Sequence, residues 1–145
     1  ANAIFKQSKF VSEDVKLSLI KTFVSPVLTY AVEALQLSSS QCNILNVCWN
    51  NMFRKIFNFN QWESVKLLQC LCECLDFHRI FHLRKLRFAH KLLVSDNVTL
   101  RHCAQLFHCS TELAALCSFY DLSSASSLSC ISCKIFTSFK DLCMG

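Results

Sequence analysis

The chain has 145 residues, 52% of them hydrophobic, with a single glycine and a single proline. Turn-rich β architectures need glycine and proline at their turns, so this composition excludes them and predicts an all-α fold. A mean hydropathy of +0.33 indicates either an unusually apolar core or a surface that another molecule covers. No run of about 18 apolar residues occurs, so we predict no membrane partner.

Cysteine usage and the N-terminal sequence bear on the compartment. The eleven cysteines are scattered among helical segments and are not spaced as a disulfide framework between loops. This pattern predicts free thiols in an intracellular, reducing compartment, either the cytoplasm or the nucleus. The start of the chain has no secretory pattern and no initiator methionine, and we expect a fragment of a longer reading frame.

The positive charge is concentrated in the middle of the chain. Residues 54–91 contain eight lysines and arginines but only three acidic residues, which accounts for the whole net charge of +5. A local basic excess of this kind is typical of proteins with a polyanionic partner.

In the first half of the chain, periodicity predicts three helices. The first starts after Ser12, and Pro26 should kink or restart it. A serine run at 38–40 breaks the chain and offers another N-cap. Residues 41–57 are the most clearly amphipathic stretch, and their polar side is rich in amides and contains no acid. That polar side consists of Asn43, Asn46, Asn50 and Arg54.

In the second half, a short helix from Ser64 to Leu71 and a longer one from about Phe77 to Val94 are expected. Residues 98–117 should form one or two more. In total we predict five to seven helices with short loops, followed by a Ser/Cys-rich, poorly structured C-terminal tail. The expected division is a helical region at 1–95, an additional helical segment at 96–117 and a linker or tail at 118–145.

Two sets of cysteines and histidines have spacings that suggest a zinc site. The first set comprises Cys70, Cys72, Cys74, His78 and His82. Cys70, Cys74, His78 and His82 are each four residues apart. On one continuous helix the distance from the first to the last would be about 18 Å, too far for a single zinc ion, unless a turn near Asp76 folds them back. Cys130 and Cys133 have ligand spacing, but no histidine follows them. We therefore predict no metal and no cofactor.

Three stretches, in this order, carry a resemblance to a known family. They are DVKLSLIKTFVSPVLTYAVEAL at 14–35, WNNMFRKIFNFNQWESV at 49–65 and FHLRKLRFAHKLL at 81–93. The first has a Val-Lys pair, a Ser-Pro break and an aromatic residue. The second has asparagines before an apolar, Arg-Lys, apolar sequence and a loop ending in Ser-Val, and the third is basic and aromatic. Together they resemble the thumb and connection that follow the catalytic palm of LINE-type, non-LTR retrotransposon reverse transcriptases.

The resemblance implies a non-catalytic helical element that contacts a template–primer duplex of RNA, DNA or a hybrid without sequence preference. It implies phosphate contacts by Arg54, Lys55, Arg84, Arg87 and Lys91, and the palm of the parent enzyme as a protein partner. A polymerase site needs an aromatic-x-Asp-Asp turn that holds two metal ions, and no Asp-Asp pair occurs in this sequence. We therefore predict that the chain is not an enzyme.

Residue pattern alone leaves two alternatives open. The apolar excess suits a helical protein–protein interaction module, in which the basic residues only solvate a helix exterior. A decayed reading frame without activity would share the same composition. Cys/His nucleophilic catalysis rests on composition alone, because nothing in the sequence positions a base or an oxyanion hole.

Overall fold

The protein is predominantly helical in the part that the computed structural model describes, which is residues 11–108, 111–123 and 126–145. These ranges contain seven helices and no strand, which confirms the predicted all-α fold with five to seven helices. The helices after the first are α2 (Ser39–Phe57), α3 (Lys66–Leu71), α4 (Phe77–Leu93), α5 (Val98–His108), α6 (Thr111–Phe119) and α7 (Leu128–Met144).

The chain divides into two compact units. The first comprises Ala1–Ala31 and Gln36–His78, and the second comprises Val32–Leu35 and Arg79–Gly145. The predicted boundaries at residues 95 and 117 stay predictions.

Helix α1 is interrupted where proline was expected to disturb it. It consists of Glu13–Leu19, a π-helical segment Ile20–Val24 and a last turn Ser25–Leu28. The Ser25 amide donates to the Ile20 carbonyl, the five-residue spacing of a π-bulge. Pro26 has no N–H, and its ring clashes with the regular hydrogen-bonding pattern of the preceding helical turn. The wider π-helical turn relieves this clash, so the helix continues to Leu28.

The stretch Glu13–Ala34 contains an 18-residue window with a mean hydropathy of 1.3 and is, by length and composition, able to cross a membrane. Core helices and signal sequences of ordinary proteins satisfy the same criterion, so this is weak support for a span. The absence of a membrane partner stays a prediction.

Helix α2 begins at a capping box and ends at a left-handed asparagine. The Ser38 hydroxyl accepts from the Gln41 amide at 3.3 Å, and the Gln41 side chain accepts from the Ser38 amide at 2.9 Å, forming a capping box. At the other end Asn58 adopts a left-handed conformation with φ 54°, and the Phe59 amide donates to the Arg54 carbonyl. The serine cap that the sequence predicts is present.

The prediction of a poorly structured C-terminal tail is wrong. Ser127 caps α7 by accepting from the Cys130 amide at 3.2 Å, and the helix then continues to Met144. Ile131, Ile135 and Phe139 recur every four residues and are all buried, which gives the helix one apolar stripe. Frequent serines and cysteines between these positions hide the stripe in the sequence.

Candidate nucleic-acid interface

The amide-rich side of α2 is occupied by contacts within the first unit. The Asn46 side-chain oxygen accepts from the Phe77 amide at 3.1 Å, and the Asn50 oxygen accepts from the Gln69 side chain at 2.9 Å. These bonds fix the segment that follows α2, since they pair the first amide of α4 and the side-chain nitrogen of the buried Gln69. The unusual amide content of this face therefore has an internal structural use.

Arg54, a predicted phosphate contact, is tied into the same unit. Its Nε and Nη2 donate to the Glu63 carbonyl at 3.1 and 2.9 Å, and its Nη1 donates to the Asn51 side chain at 2.9 Å. Two of the five guanidinium donors thus hold the loop between α2 and α3, and a third bonds Asn51 within α2. A phosphate role for Arg54 stays a prediction, whereas its structural role follows from these bonds.

Replacing Arg54 by glutamine should lower the free energy of unfolding by about 1.5–3 kcal/mol, because charged donors to a half-buried carbonyl are lost. Urea denaturation followed by circular dichroism measures this. Arg54→Lys is the matched control: it keeps the charge but lacks the fork, so it should be nearly as unstable. Full stability in the lysine variant would show that Arg54 acts by charge and not through the Glu63 carbonyl.

The other predicted contacts are exposed. Arg84, Arg87 and Lys91 lie on the solvent side of α4, and Lys55 is exposed at the end of α2. We call the first three the α4 basic stripe. Arg84 and Lys91 are about 10 Å apart along the helix axis at 1.5 Å per residue. One strand of B-DNA presents a phosphate for about every 3.4 Å of duplex axis, so a duplex running parallel to α4 would present about three phosphates over this length.

One member of the stripe is braced by α7. The Arg87 Nη2 donates to the Ser132 hydroxyl at 2.8 Å, and that hydroxyl in turn donates to the Leu128 carbonyl at 2.8 Å. A long exposed side chain loses rotamer freedom when it binds a ligand. Because this hydrogen bond already restricts Arg87, the entropic cost of binding through Arg87 is smaller. Sequence reasoning gave no sign of it, because it joins residues 45 positions apart.

A fourth basic residue of α4 points inward. Lys85 is 2% exposed, and its ammonium lies 2.5 Å from the Glu112 carboxylate and 4.7 Å from the Phe81 ring centroid. Phe77, Phe81, Lys85 and Ala89 follow one another at four-residue intervals and all are buried. This spacing was the available signal that Lys85 belongs to the apolar face.

The cysteine and histidine sets contain no assembled ligand cluster. Among the residues with described positions, no three His, Cys, Asp or Glu side chains are grouped to hold a metal ion. The His82 Nδ1 is instead 2.9 Å from the Tyr120 hydroxyl, and the Cys74 thiol donates to the Cys72 carbonyl at 3.4 Å. Burial raises the pKa of Cys74 and the positive charge of Lys21 offsets only part of it, so this thiol is a poor nucleophile.

No protein-family model, curated protein or solved structure matches this chain.

Proposed function

We propose that the chain binds nucleic-acid duplexes through their phosphates, without sequence preference and without catalysis, as the thumb and connection part of a retrotransposon reverse transcriptase. The exposed α4 basic stripe carries this proposal. Three exposed cations lie along one side of a single helix, where several phosphates of one duplex are within reach, and the resemblance of the three sequence stretches supplies the ancestry. Lys85 of the same helix is held in an internal ion pair, whereas Arg84, Arg87 and Lys91 remain exposed to a ligand.

The neighbouring structure suits this role. The hydrogen bond from Arg87 to Ser132 holds one guanidinium in place while leaving its remaining N–H donors to a ligand. Phosphate contacts of this kind position a duplex but read no base, which is what a polymerase thumb requires of its substrate.

Replacing Arg84, Arg87 and Lys91 together by glutamine should weaken duplex binding and flatten its salt dependence. Each phosphate contact contributes about 0.9 to the slope of log affinity against log salt, so the triple variant should lose about 2.7. Fluorescence anisotropy with a mixed-sequence DNA duplex at several salt concentrations measures both quantities. Glutamine keeps helix propensity, and circular dichroism should show an unchanged fold.

A matched control removes the same charge elsewhere. Lys16, Arg101 and Lys140 are outside α4, and changing all three to glutamine lowers the net charge equally. The control should retain most of the slope, because local contacts and not total charge release the counterions. Equal losses in the two variants, or no loss in either, would contradict a duplex site at the stripe.

Exposed apolar residues on α1 and in the turn that follows it favour a second candidate, a protein-interaction module. Phe23, Val27 and Tyr30 are largely exposed, Tyr30 by 83%. Saturable binding to a protein partner with weak salt dependence, lost on changing these residues and kept in the triple-glutamine variant, would support this function instead.

A further inference from the structure

A surface groove of about 320 Å³ lies on the second unit, outside the α4 basic stripe. It is formed by the end of α6, the turn that follows and one side of α7. Its volume falls within the range of small-ligand pockets, about 300–1,000 Å³. The residues that matter below are Phe119, Asp121, Lys134, Thr137, Ser138 and Asp141.

An exposed aromatic ring forms one wall and is held in place from behind. Phe119 is 68% exposed, yet its ring contacts Tyr120 edge to face, with centroids 4.8 Å apart at 86°. Tyr120 is buried, and its hydroxyl is hydrogen-bonded to His82 at 2.9 Å. A ring fixed in this way offers apolar and π surface to a ligand at little entropic cost.

The charges of the groove favour a cation. The Lys134 ammonium donates to the Asp121 carbonyl and lies 3.2 Å from the Asp121 carboxylate, so its charge is already compensated. Asp141 lies on α7, as Lys134 does. It is exposed and adds a second carboxylate to the groove. The groove therefore carries a net negative charge on a protein whose total is +5, which disfavours phosphate-bearing ligands.

We propose that this groove binds the guanidinium of an arginine side chain presented by a partner protein. The guanidinium stacks on Phe119, and its forked N–H groups donate to the Asp141 carboxylate. Thr137 and Ser138 also line the groove, and hydroxyls are the acceptors that these residue types offer to the remaining N–H groups. An arginine fits better than a lysine because only the planar, delocalised cation both stacks and forks.

Titration of the full chain with a capped Gly-Arg-Gly peptide, followed by amide chemical shifts in NMR, tests this site. Shifts should concentrate at the end of α6 and along α7. Phe119→Leu should weaken binding about twofold to fivefold, as expected for the loss of stacking at an exposed site, and Asp141→Asn about tenfold, as expected for the loss of a charged hydrogen-bonding partner. Asp96→Asn, an exposed aspartate outside the groove, is the control and should bind as the unmodified chain does.

Two further probes decide the chemistry. A citrulline peptide, which keeps the shape but loses the charge, should not bind measurably, and a lysine peptide should bind more weakly than the arginine peptide. Equal binding of citrulline or lysine, or unchanged binding in both groove variants, would overturn the proposal. Binding of an oligothymidine strand that depends on Phe119 would also overturn it and assign the ring to a nucleobase. The result is independent of the duplex site, since the triple-glutamine variant should bind the peptide normally.

Discussion

Replacing Phe139 by alanine should lower the free energy of unfolding by about 3–5 kcal/mol, the usual cost of deleting a buried phenylalanine ring. Phe139 is 1% exposed, and the Arg79 guanidinium carbon lies 5.2 Å from its ring centroid. It shares the apolar stripe of α7 with Ile131 and Ile135, so its loss should release the whole helix. Small domains are stable by about 5–15 kcal/mol, and this one change would consume a large part.

Urea denaturation followed by circular dichroism measures the effect, and limited proteolysis shows whether α7 is released. Lys140→Ala changes the next residue, which is exposed, and should alter stability by less than about 0.5 kcal/mol. A loss of stability for Phe139→Ala as small as that for the control would mean that α7 does not pack on the rest of the second unit. No cooperative transition in the unmodified chain would favour the decayed reading frame.

The sequence predicted those elements whose signals are local. The capping box at Ser38 and Gln41 and the left-handed Asn58 are contacts within a few residues, and the pattern between them is dominated by large apolar side chains. Helix α7 has equally good local signals in Ser127 and its four-residue apolar spacing. It was missed because serine and cysteine fill the intervening positions, and these residue types are as common in linkers as in helix exteriors.

The residues of the candidate site likewise include some that local spacing predicts and others that only the folded structure reveals. Exposure of Arg84, Arg87 and Lys91 follows from their spacing of three and four residues, which places them opposite the apolar face of a single helix. The inward role of Arg54 depends on the carbonyl of Glu63, which only the folded loop brings within reach. Contacts of this kind are set by tertiary structure, so helical spacing separates the exposed cations of α4 from Lys85 but does not predict the internal bonds of Arg54.

The ion pair of Lys85 and Glu112 should respond differently to the loss of each partner. Glu112→Gln removes the negative charge and leaves a buried ammonium poorly compensated. We expect a loss of about 2–3 kcal/mol, less than for a fully buried pair, because the Glu112 side chain is 46% exposed and water can partly solvate the site. Lys85→Met instead removes the buried charge and keeps the apolar length of the side chain beside Phe81.

The methionine variant should therefore be as stable as the unmodified chain or more stable, since replacing a buried charge by a similar apolar side chain is often neutral or favourable. Denaturation of both single variants and of the double variant completes the cycle. In the Lys85→Met background, Glu112→Gln should cost less than about 0.5 kcal/mol, because the charge that it compensated is gone. A cost as large as in the unmodified background would show that Glu112 stabilises the second unit through other contacts, such as the N-terminal turn of α6.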